Sequence, residues 1–415
     1  MTRRPILAAL LLFAACAGPA SAQKWTRFRG PNGTGVSDAD SVPAQWTDKD
    51  LNWRVALPGI GHSSPVVWHD RVFLTSAFED SATRLVLCLR TDDGQILWQH
   101  KYPSSLHAKH KFNSFASSTP CVDADHVYCC WSTPDEYTLM ALTHDGEQVW
   151  RKNLGPYTSQ HSCGVSPIVY KDLVVLGNDQ GDENHQGTSS VLAVDRRTGE
   201  LRWKLDRRTA TVAYSTPCVY QPAGGEPELI FNSESHGITS VDPANGRVNW
   251  EINVFNKRSV SSPVIAAGLI FGSCGSGGGG NYVVAVRPPD DKGSSPEIAY
   301  KVEDIAAPYV PTPVALGELV FLWSDKGVVA CLRAATGEKL WQKRVGGNYH
   351  GSPVCVAGRL YCLREDGEVT VVAAAEEYEL LGRNPLGEES RSTPAVADGR
   401  MYLRTYSHLV SVGGK

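Results

Sequence analysis

The hydrophobic and polar positions of the chain repeat in eight units. Each unit opens with a Ser-Pro or Thr-Pro pair followed by an apolar run, and successive prolines are 55, 47, 50, 46, 50, 40 and 41 residues apart. These prolines are Pro65, Pro120, Pro167, Pro217, Pro263, Pro313, Pro353 and Pro394. A period in the forties is typical of an array of stacked supersecondary units.

Inside each unit, short runs of β-branched and aromatic residues alternate with turn residues, as at residues 72–74 and 174–176. Runs of about four to six residues favour strands, and no stretch of helical length carries a stripe at the helical period. A second motif places Trp four residues after a turn Gly, as in Gly199 and Trp203. Glycine supplies the positive φ of a hairpin turn, and the Trp can pack between neighbouring sheets. The pattern predicts four strands per unit.

The two ends of the chain complement each other. The last unit lacks a fourth strand, whereas residues 51–56 form a spare one that carries Trp53 twelve residues before Pro65. We therefore expect an all-β, eight-bladed β-propeller of four-stranded antiparallel blades, with strand 51–56 completing the last blade and closing the ring. The predicted organisation is a signal peptide over 1–22, an extension over 23–50 packed on the propeller, and the propeller over 51–415. We expect Trp25, Phe28 and Trp46 to lay the extension over the outside of the body.

The formal net charge is −4 for 415 residues, and lysine and arginine are scattered. This excludes the basic footprint of a nucleic-acid-binding protein. The eleven cysteines lie mostly within apolar runs, which favours buried free thiols over a disulfide framework.

The first residues have the pattern of a targeting segment. Arg3 and Arg4 precede an apolar run over 6–15, and Ala20 to Ala22 form a cleavage motif. Lipidation at Cys16 is the less favoured alternative. We expect export to the periplasm or beyond, with no transmembrane segment in the mature chain.

These motifs resemble the PQQ-like repeat family of eight-bladed propellers, which includes quinoprotein dehydrogenases and BamB-like exported proteins. The Ser/Thr-Pro start, the Gly-to-Trp turn and the ring closure carry the resemblance across nearly the whole mature chain. The resemblance implies the fold but leaves the function open, because these motifs serve packing. Quinoprotein alcohol dehydrogenases also hold a vicinal disulfide against the quinone, and the adjacent Cys129 and Cys130 would correspond to it.

The links that precede each Ser/Thr-Pro pair share one face with the longer loops between second and third strands, so we expect any site there, around the channel. Arginines could hold the carboxylates of a flat anionic ligand on which Tyr or His side chains stack. The alternative is that residues near a water-filled channel are simply polar. The candidate ligand-binding residues at the channel mouth are His62, His161, Tyr214, Arg258, Tyr309, Tyr349, His350 and Arg391.

No metal site is predicted. Asp179, Asp182 and Glu183 could offer oxygen ligands to calcium, but they lack the spacing of a calcium loop, and a solvated acidic loop is favoured. His107 and His110, on the link over 99–116, are weak evidence for a metal.

Two functional hypotheses remain. The first is a monomeric, non-catalytic exported scaffold whose loop face binds a protein or polymer partner, with outer-membrane protein assembly as one instance. The second is a small PQQ-dependent dehydrogenase acting on alcohols or sugars, with PQQ and calcium as cofactors, although the chain offers no identifiable ligand set for them.

Overall fold

The structure is a computed structural model and describes residues 24–290 and 294–414. The predicted signal peptide over 1–22 and Cys16 lie outside the described residues. The described part contains strands and two short 3-10 helices, Pro31–Gly33 and Asp48–Asp50. No helix within it is long and apolar enough to cross a membrane.

The prediction of eight four-stranded antiparallel blades is confirmed. Two strands precede the first blade, namely β1 (Val36–Ser37) and β2 (Leu51–Ala56). Blade 1 comprises β3 (Val66–Trp68), β4 (Arg71–Ala77), β5 (Arg84–Arg90) and β6 (Ile96–Tyr102), and blade 2 comprises β7 (Cys121–Val122), β8 (His126–Ser132), β9 (Tyr137–Thr143) and β10 (Gln148–Asn153). Blade 3 comprises β11 (Ile168–Tyr170), β12 (Leu173–Asn178), β13 (Ser190–Asp195) and β14 (Leu201–Asp206), and blade 4 comprises β15 (Cys218–Tyr220), β16 (Glu228–Ser233), β17 (Gly237–Val241) and β18 (Val248–Ile252).

Blades 5 to 8 continue the same order from the innermost strand outwards. Blade 5 comprises β19 (Val264–Ala266), β20 (Leu269–Cys274), β21 (Tyr282–Arg287) and β22 (Glu297–Val302), and blade 6 comprises β23 (Val314–Leu316), β24 (Leu319–Trp323), β25 (Val328–Arg333) and β26 (Lys339–Arg344). Blade 7 comprises β27 (Val354–Val356), β28 (Arg359–Leu363), β29 (Glu368–Ala373) and β30 (Leu380–Pro385). Blade 8 comprises β31 (Ala395–Ala397), β32 (Arg400–Arg404) and β33 (His408–Gly413), and β2 completes it. Strand β2 pairs antiparallel with β33, with Trp53 opposite Ser411, so the predicted ring closure is confirmed.

A belt of hydrogen bonds explains the Ser/Thr-Pro pairs. In seven of the eight junctions, the backbone N–H of one blade's Ser or Thr donates to the hydroxyl oxygen of the next blade's Ser or Thr, over 2.9–3.1 Å. The bond from Thr393 to Ser64 joins blade 8 to blade 1. Among the described contacts, the junction between Ser166 and Thr216 has no such bond. The repeat therefore marks blade-to-blade cohesion, because buried N–H groups need an acceptor.

The Gly-to-Trp motif serves two purposes, since the Gly forms the hairpin turn and the Trp packs against the same turn of the next blade. The Trp150 indole N–H donates to the Arg196 carbonyl in the next blade over 3.1 Å. Gly199 of that same turn has φ +72° and lies so close that an added Cβ would be 2.7 Å from the Trp150 ring. Each such glycine thus permits both the turn and the approach of the neighbouring indole.

The N-terminal segment enters the channel. Trp25 exchanges backbone hydrogen bonds with Val67 of blade 1, Asn32 binds the backbone of Val219 in blade 4, and β1 pairs in parallel with β27 of blade 7. These partners follow the motif prolines and lie on the side of the channel away from the loop face. We expected Trp25 and Phe28 on the outside of the body, but Trp25 is 1% exposed and Phe28 lines the channel cavity.

Further along, the segment covers blade 7, whose fourth strand has Gly382 opposite Val371, at the position that Trp holds in most other blades and Tyr300 holds in blade 5. Trp46 is buried there, stacks on Tyr361 with ring centroids 6.5 Å apart, and its backbone N–H donates to Asn384. The extension therefore replaces the missing packing of blade 7.

Candidate functional site

A cavity of about 900 Å³ fills the channel at the loop face. Its wall is built from the links that precede the Ser/Thr-Pro pairs and from loops between second and third strands, such as residues 275–279. Phe28, from the N-terminal segment, also lines it, which places that ring at the closed end. The cavity is the size of a typical small-molecule site.

Seven of the eight candidate residues line this one cavity. They are His62, His161, Tyr214, Arg258, Tyr309, His350 and Arg391. Tyr349 does not, because consecutive residues of extended backbone point to opposite sides. Its side chain is fully buried, shares a 2.8 Å hydrogen bond with the Thr370 hydroxyl, and packs 5.3 Å from the Trp323 ring. The placement of Tyr349 at the channel mouth is therefore corrected.

Arg258 forms one side of the cavity. Its guanidinium donates to the Gln160 side-chain oxygen over 3.0 Å and to the Tyr309 hydroxyl over 3.4 Å. Its Nε is buried without a hydrogen-bond partner. No carboxylate of the described residues lies within 4.0 Å of this guanidinium, so its charge is available to a ligand.

Arg391 forms a second group in the wall. Its guanidinium binds Glu365 over 2.5 Å, and the Phe112 ring centroid lies 5.1 Å from it. Phe112 also packs 5.0 Å from the His350 ring. Burial would raise the pKa of Glu365, yet the hydrogen bond from Arg391 and the neighbouring charges hold it below its ordinary value. Arg391 is therefore neutralised by an internal carboxylate.

The cavity histidines are neutral at neutral pH. Burial lowers the pKa of His350 to about 4, with Glu365 opposing the shift and Arg391 reinforcing it. Burial, with the charges of Arg391 and Arg404, holds the pKa of His62 well below its ordinary value. The pKa of His161 is also lowered by burial and then by Arg258. A neutral imidazole offers one donor and one acceptor.

The acidic side chains of the cavity do not form a metal site. Glu234 accepts the Thr211 hydroxyl, Asp325 accepts the backbone N–H groups of Tyr309 and Val310, and Glu365 binds Arg391. Within residues 24–290 and 294–414, no three His, Cys, Asp or Glu side chains converge to hold a metal ion. Glu365 and Asn348 are of the residue types that would hold a calcium-bound quinone, but Arg391 and Lys326 already bind them and place positive charge where the cation would lie.

The acidic loop of blade 3 separates its three candidates. Asp179 is buried, and its carboxylate lies 3.6 Å from Arg207. Asp182 instead caps its own turn, accepting the N–H groups of Asn184 and Gln186 over 2.8 Å each, and Glu183 is exposed. The three carboxylates thus serve different environments.

The adjacent cysteines also point apart. Cys129 packs in the apolar cluster between blades 1 and 2, and Cys130 in the cluster between blades 2 and 3. Both lie in β8, where side chains alternate between faces, and both are free thiols, as are all ten cysteines of the described residues. The pair does not face the cavity.

Sequence reasoning missed Phe28, Phe112, Asp325, Lys326 and Glu365 as cavity residues. A signal existed for two of them, because Asp325 and Glu365 each precede by two residues the Gly of the same loop in neighbouring repeats. Nothing in the sequence indicated that Phe112 would reach His350 from the link between blades 1 and 2.

The sequence matches the family described as outer membrane protein assembly factor BamB, named PQQ_2, over residues 45–213, 183–290 and 283–377. It is also similar to a curated tetrathionate hydrolase of Acidithiobacillus ferrooxidans, with 20% identity over 233 residues. That match covers 53% of this chain and only 42% of the relative's length.

Solved structures share the fold. BamB from Moraxella catarrhalis is 16% identical, with 87% of this chain and 98% of that chain covered and a TM-score of 0.59. Quinohemoprotein alcohol dehydrogenase from Comamonas testosteroni is 12% identical, with 94% and 80% covered and a TM-score of 0.54. The computationally designed Ika8 protein is 12% identical, with 88% and 99% covered and a TM-score of 0.61. A designed protein with the same fold underlines that function must be argued from the site.

Proposed function

Because this chain belongs to the PQQ_2 family, described as outer membrane protein assembly factor BamB, we propose that it is an exported, non-catalytic binding protein. Its loop face engages a protein or polymer partner, and outer-membrane protein assembly is the instance that the family description suggests. Its location is the periplasm or beyond, and it works as a monomer.

One observation carries the proposal. The cavity has binding groups, among them Arg258, Tyr309 and His62, whereas each of its carboxylates already has a hydrogen-bond partner in the protein. Among the described lining residues, therefore, no carboxylate is without a protein partner and ready to hold a catalytic cation. This supports binding over cation-assisted catalysis.

The loop face also exposes apolar side chains that a partner could cover. Phe112 is 41% exposed at the cavity, and Ile305, on the blade 5 to blade 6 link, is 66% exposed. Aromatic residues are enriched at the buried centres of interfaces.

The alternative is a PQQ-dependent dehydrogenase, and the residues present do not fit a calcium-bound quinone. Purified protein supplied with PQQ and Ca²⁺ should show neither bound-quinone absorbance nor dye reduction with alcohols or aldoses. An established quinoprotein dehydrogenase, assayed separately under the same conditions, serves as the positive control. Dye reduction by this chain would refute the non-catalytic proposal.

The binding face can be tested in cells that produce the protein. A photoreactive residue at Phe112 should give a discrete cross-linked adduct. The same residue at Leu201, 52% exposed at the start of β14, should not, because the Gly-to-Trp turns lie away from the loop face. Equal adducts from both positions would contradict a loop-face partner. Mass spectrometry finding Gln23 as the mature N-terminus would support export and exclude lipidation at Cys16.

A further inference from the structure

The channel cavity is closed at its inner end. Phe28 lines it, and the flanking Arg29 donates to the Thr312 and Pro313 carbonyls of blade 6 over 2.8 and 2.7 Å. Arg29 and Trp25 are at most 1% exposed, so the segment is packed and not loosely inserted. A ligand that enters from the loop face must end at Phe28. The cavity therefore suits a small molecule or the end of a chain and excludes a polymer threaded through the ring.

The side of the cavity formed by Arg258 can bind one negatively charged group. Arg258 has hydrogen-bond partners that are neutral, Gln160 and Tyr309, and a buried Nε without any partner. The neighbouring Lys257 amino group donates to the Gly279 and Gly280 carbonyls and adds positive charge. A carboxylate matches the fork of a guanidinium, with two parallel hydrogen bonds. By contrast, Arg391 already holds Glu365.

A second group in the wall is prepared for an uncharged polar partner. His62 is 8% exposed and lines the cavity, and both of its ring nitrogens are buried without a hydrogen-bond partner. Because burial keeps this imidazole neutral, it needs a partner that can both accept and donate a hydrogen bond. A hydroxyl group does both, whereas a carboxylate only accepts.

Besides Glu234 and Asp325, whose carboxylates accept hydrogen bonds from protein groups, the remaining wall combines aromatic rings with side-chain amides. The rings are Phe28, Phe112, Tyr214 and Tyr309, and the amides are Asn256, Asn281 and Asn348. A sugar ring has an apolar face that packs on an aromatic ring and a rim of hydroxyls that amides and imidazoles can bind. This lining distinguishes a sugar from a purely apolar or purely charged ligand.

We propose that the cavity binds the end of an acidic glycan, with the carboxylate of a uronic acid at Arg258 and sugar hydroxyls at His62. This inference rests on the proposed function, since it names the ligand class of the same loop-face cavity. The closed inner end makes Phe28 the residue that limits how many sugar units enter.

Isothermal titration calorimetry with trigalacturonate tests the proposal on the full mature chain. Wild-type protein should bind it, and Arg258→Gln should weaken binding about tenfold or more, because a charge-assisted hydrogen bond is lost. Arg202→Gln is the matched control, since Arg202 pairs with Asp172 and Asp195 away from the cavity. Its affinity should equal that of wild type. Galactotriose, the neutral counterpart, should bind more weakly and be insensitive to Arg258→Gln.

His62→Leu should weaken both sugars, since it removes the hydroxyl partner without changing the charge at Arg258. Circular dichroism confirms that each variant is folded. No binding of trigalacturonate at millimolar concentration, unchanged binding by Arg258→Gln, or tighter binding of triglutamate would overturn the acidic-glycan proposal.

These outcomes are separable from the failure of the proposed function. Oxidation of the sugar in the presence of PQQ would refute the non-catalytic proposal while leaving the binding site in place. Adducts from Phe112 without any uronate binding would refute the ligand class alone.

Discussion

The two ends of the channel use the same residue type in opposite ways. At the inner end, Arg29 is fully buried and donates to four backbone carbonyls, those of Gly33, Thr34, Thr312 and Pro313. At the loop end, Arg258 is partly exposed, has neutral partners and faces the cavity. Arg29 holds the N-terminal segment to the blades, and Arg258 keeps its charge for a ligand. The two arginines differ because the guanidinium of Arg29 is fully engaged by backbone carbonyls, whereas that of Arg258 still lacks an anionic partner.

The same contrast applies to the segments that carry these arginines. The N-terminal segment packs against the innermost strands of several blades and seals the ring. The links of the loop end also bury apolar side chains, such as Phe255 and Leu386, but they expose Phe112 and Ile305. The inner end of the channel is therefore sealed, whereas the loop end leaves side chains accessible to a ligand or partner.

The largest expected effect on stability comes from replacing the arginine at one end of the channel, with the same replacement at the other end as its control. Arg29→Met leaves buried carbonyls without donors and should lower the free energy of unfolding by about 3 kcal/mol or more. Arg258→Met should lower it by less than about 0.5 kcal/mol, because the site is near the surface. Urea denaturation followed by tryptophan fluorescence measures both. Equal losses would break the distinction between a structural and a binding end.

A smaller effect is expected from pH at the loop end. Because the pKa of His350 is lowered to about 4 from 6.5, the unfolded chain binds its proton first as pH falls. The free energy of unfolding is therefore unaffected by this residue above pH 6.5, and it falls progressively as the pH is lowered from 6.5 to 4. At pH 5 the loss should be roughly 1–2 kcal/mol.

The control for this prediction is His350→Asn, which removes the titrating group while leaving Glu365, Arg391, Lys326 and His110 around it. The variant should lose less stability than wild type between pH 7 and pH 5, by denaturation at each pH. The same pH dependence in both proteins would show that His350 does not respond as its surroundings suggest.

The smallest expected effect concerns the belt between the two ends. Thr393→Val keeps the shape but removes the acceptor of the Ser352 N–H, which should cost about 1 kcal/mol. Thr216→Val is the matched control, because the described contacts include no bond from Ser166 to the Thr216 hydroxyl. Its cost should be smaller. A larger loss for Thr216→Val would contradict the role given to the belt.

Repetition made the blades predictable from sequence. The belt hydroxyls and the Gly-to-Trp packing recur in nearly every unit, so the pattern reports local contacts that the same residues make each time. Ring closure was predictable because Trp53 lies twelve residues before Pro65, the same spacing as from Trp341 to Pro353.

The contents of the channel were not predictable in the same way. Phe28 and Arg29 act once, in a segment outside the repeats, and their partners lie almost 300 residues away, as from Arg29 to Pro313. Seven of eight mouth residues were located because position before the motif proline fixes where a side chain lies. Tyr349 was misplaced because strand alternation turned it into the core.

A crystal structure of the mature protein soaked with trigalacturonate tests the central claim most directly. The claim predicts density for one end of the sugar inside the cavity, with a uronate carboxylate within hydrogen-bond distance of Arg258 and a hydroxyl at His62. The inner end at Phe28 should remain closed. An empty cavity with sugar bound elsewhere, or a sugar held through Arg391 in place of Glu365 while Arg258 is unoccupied, would contradict the claim.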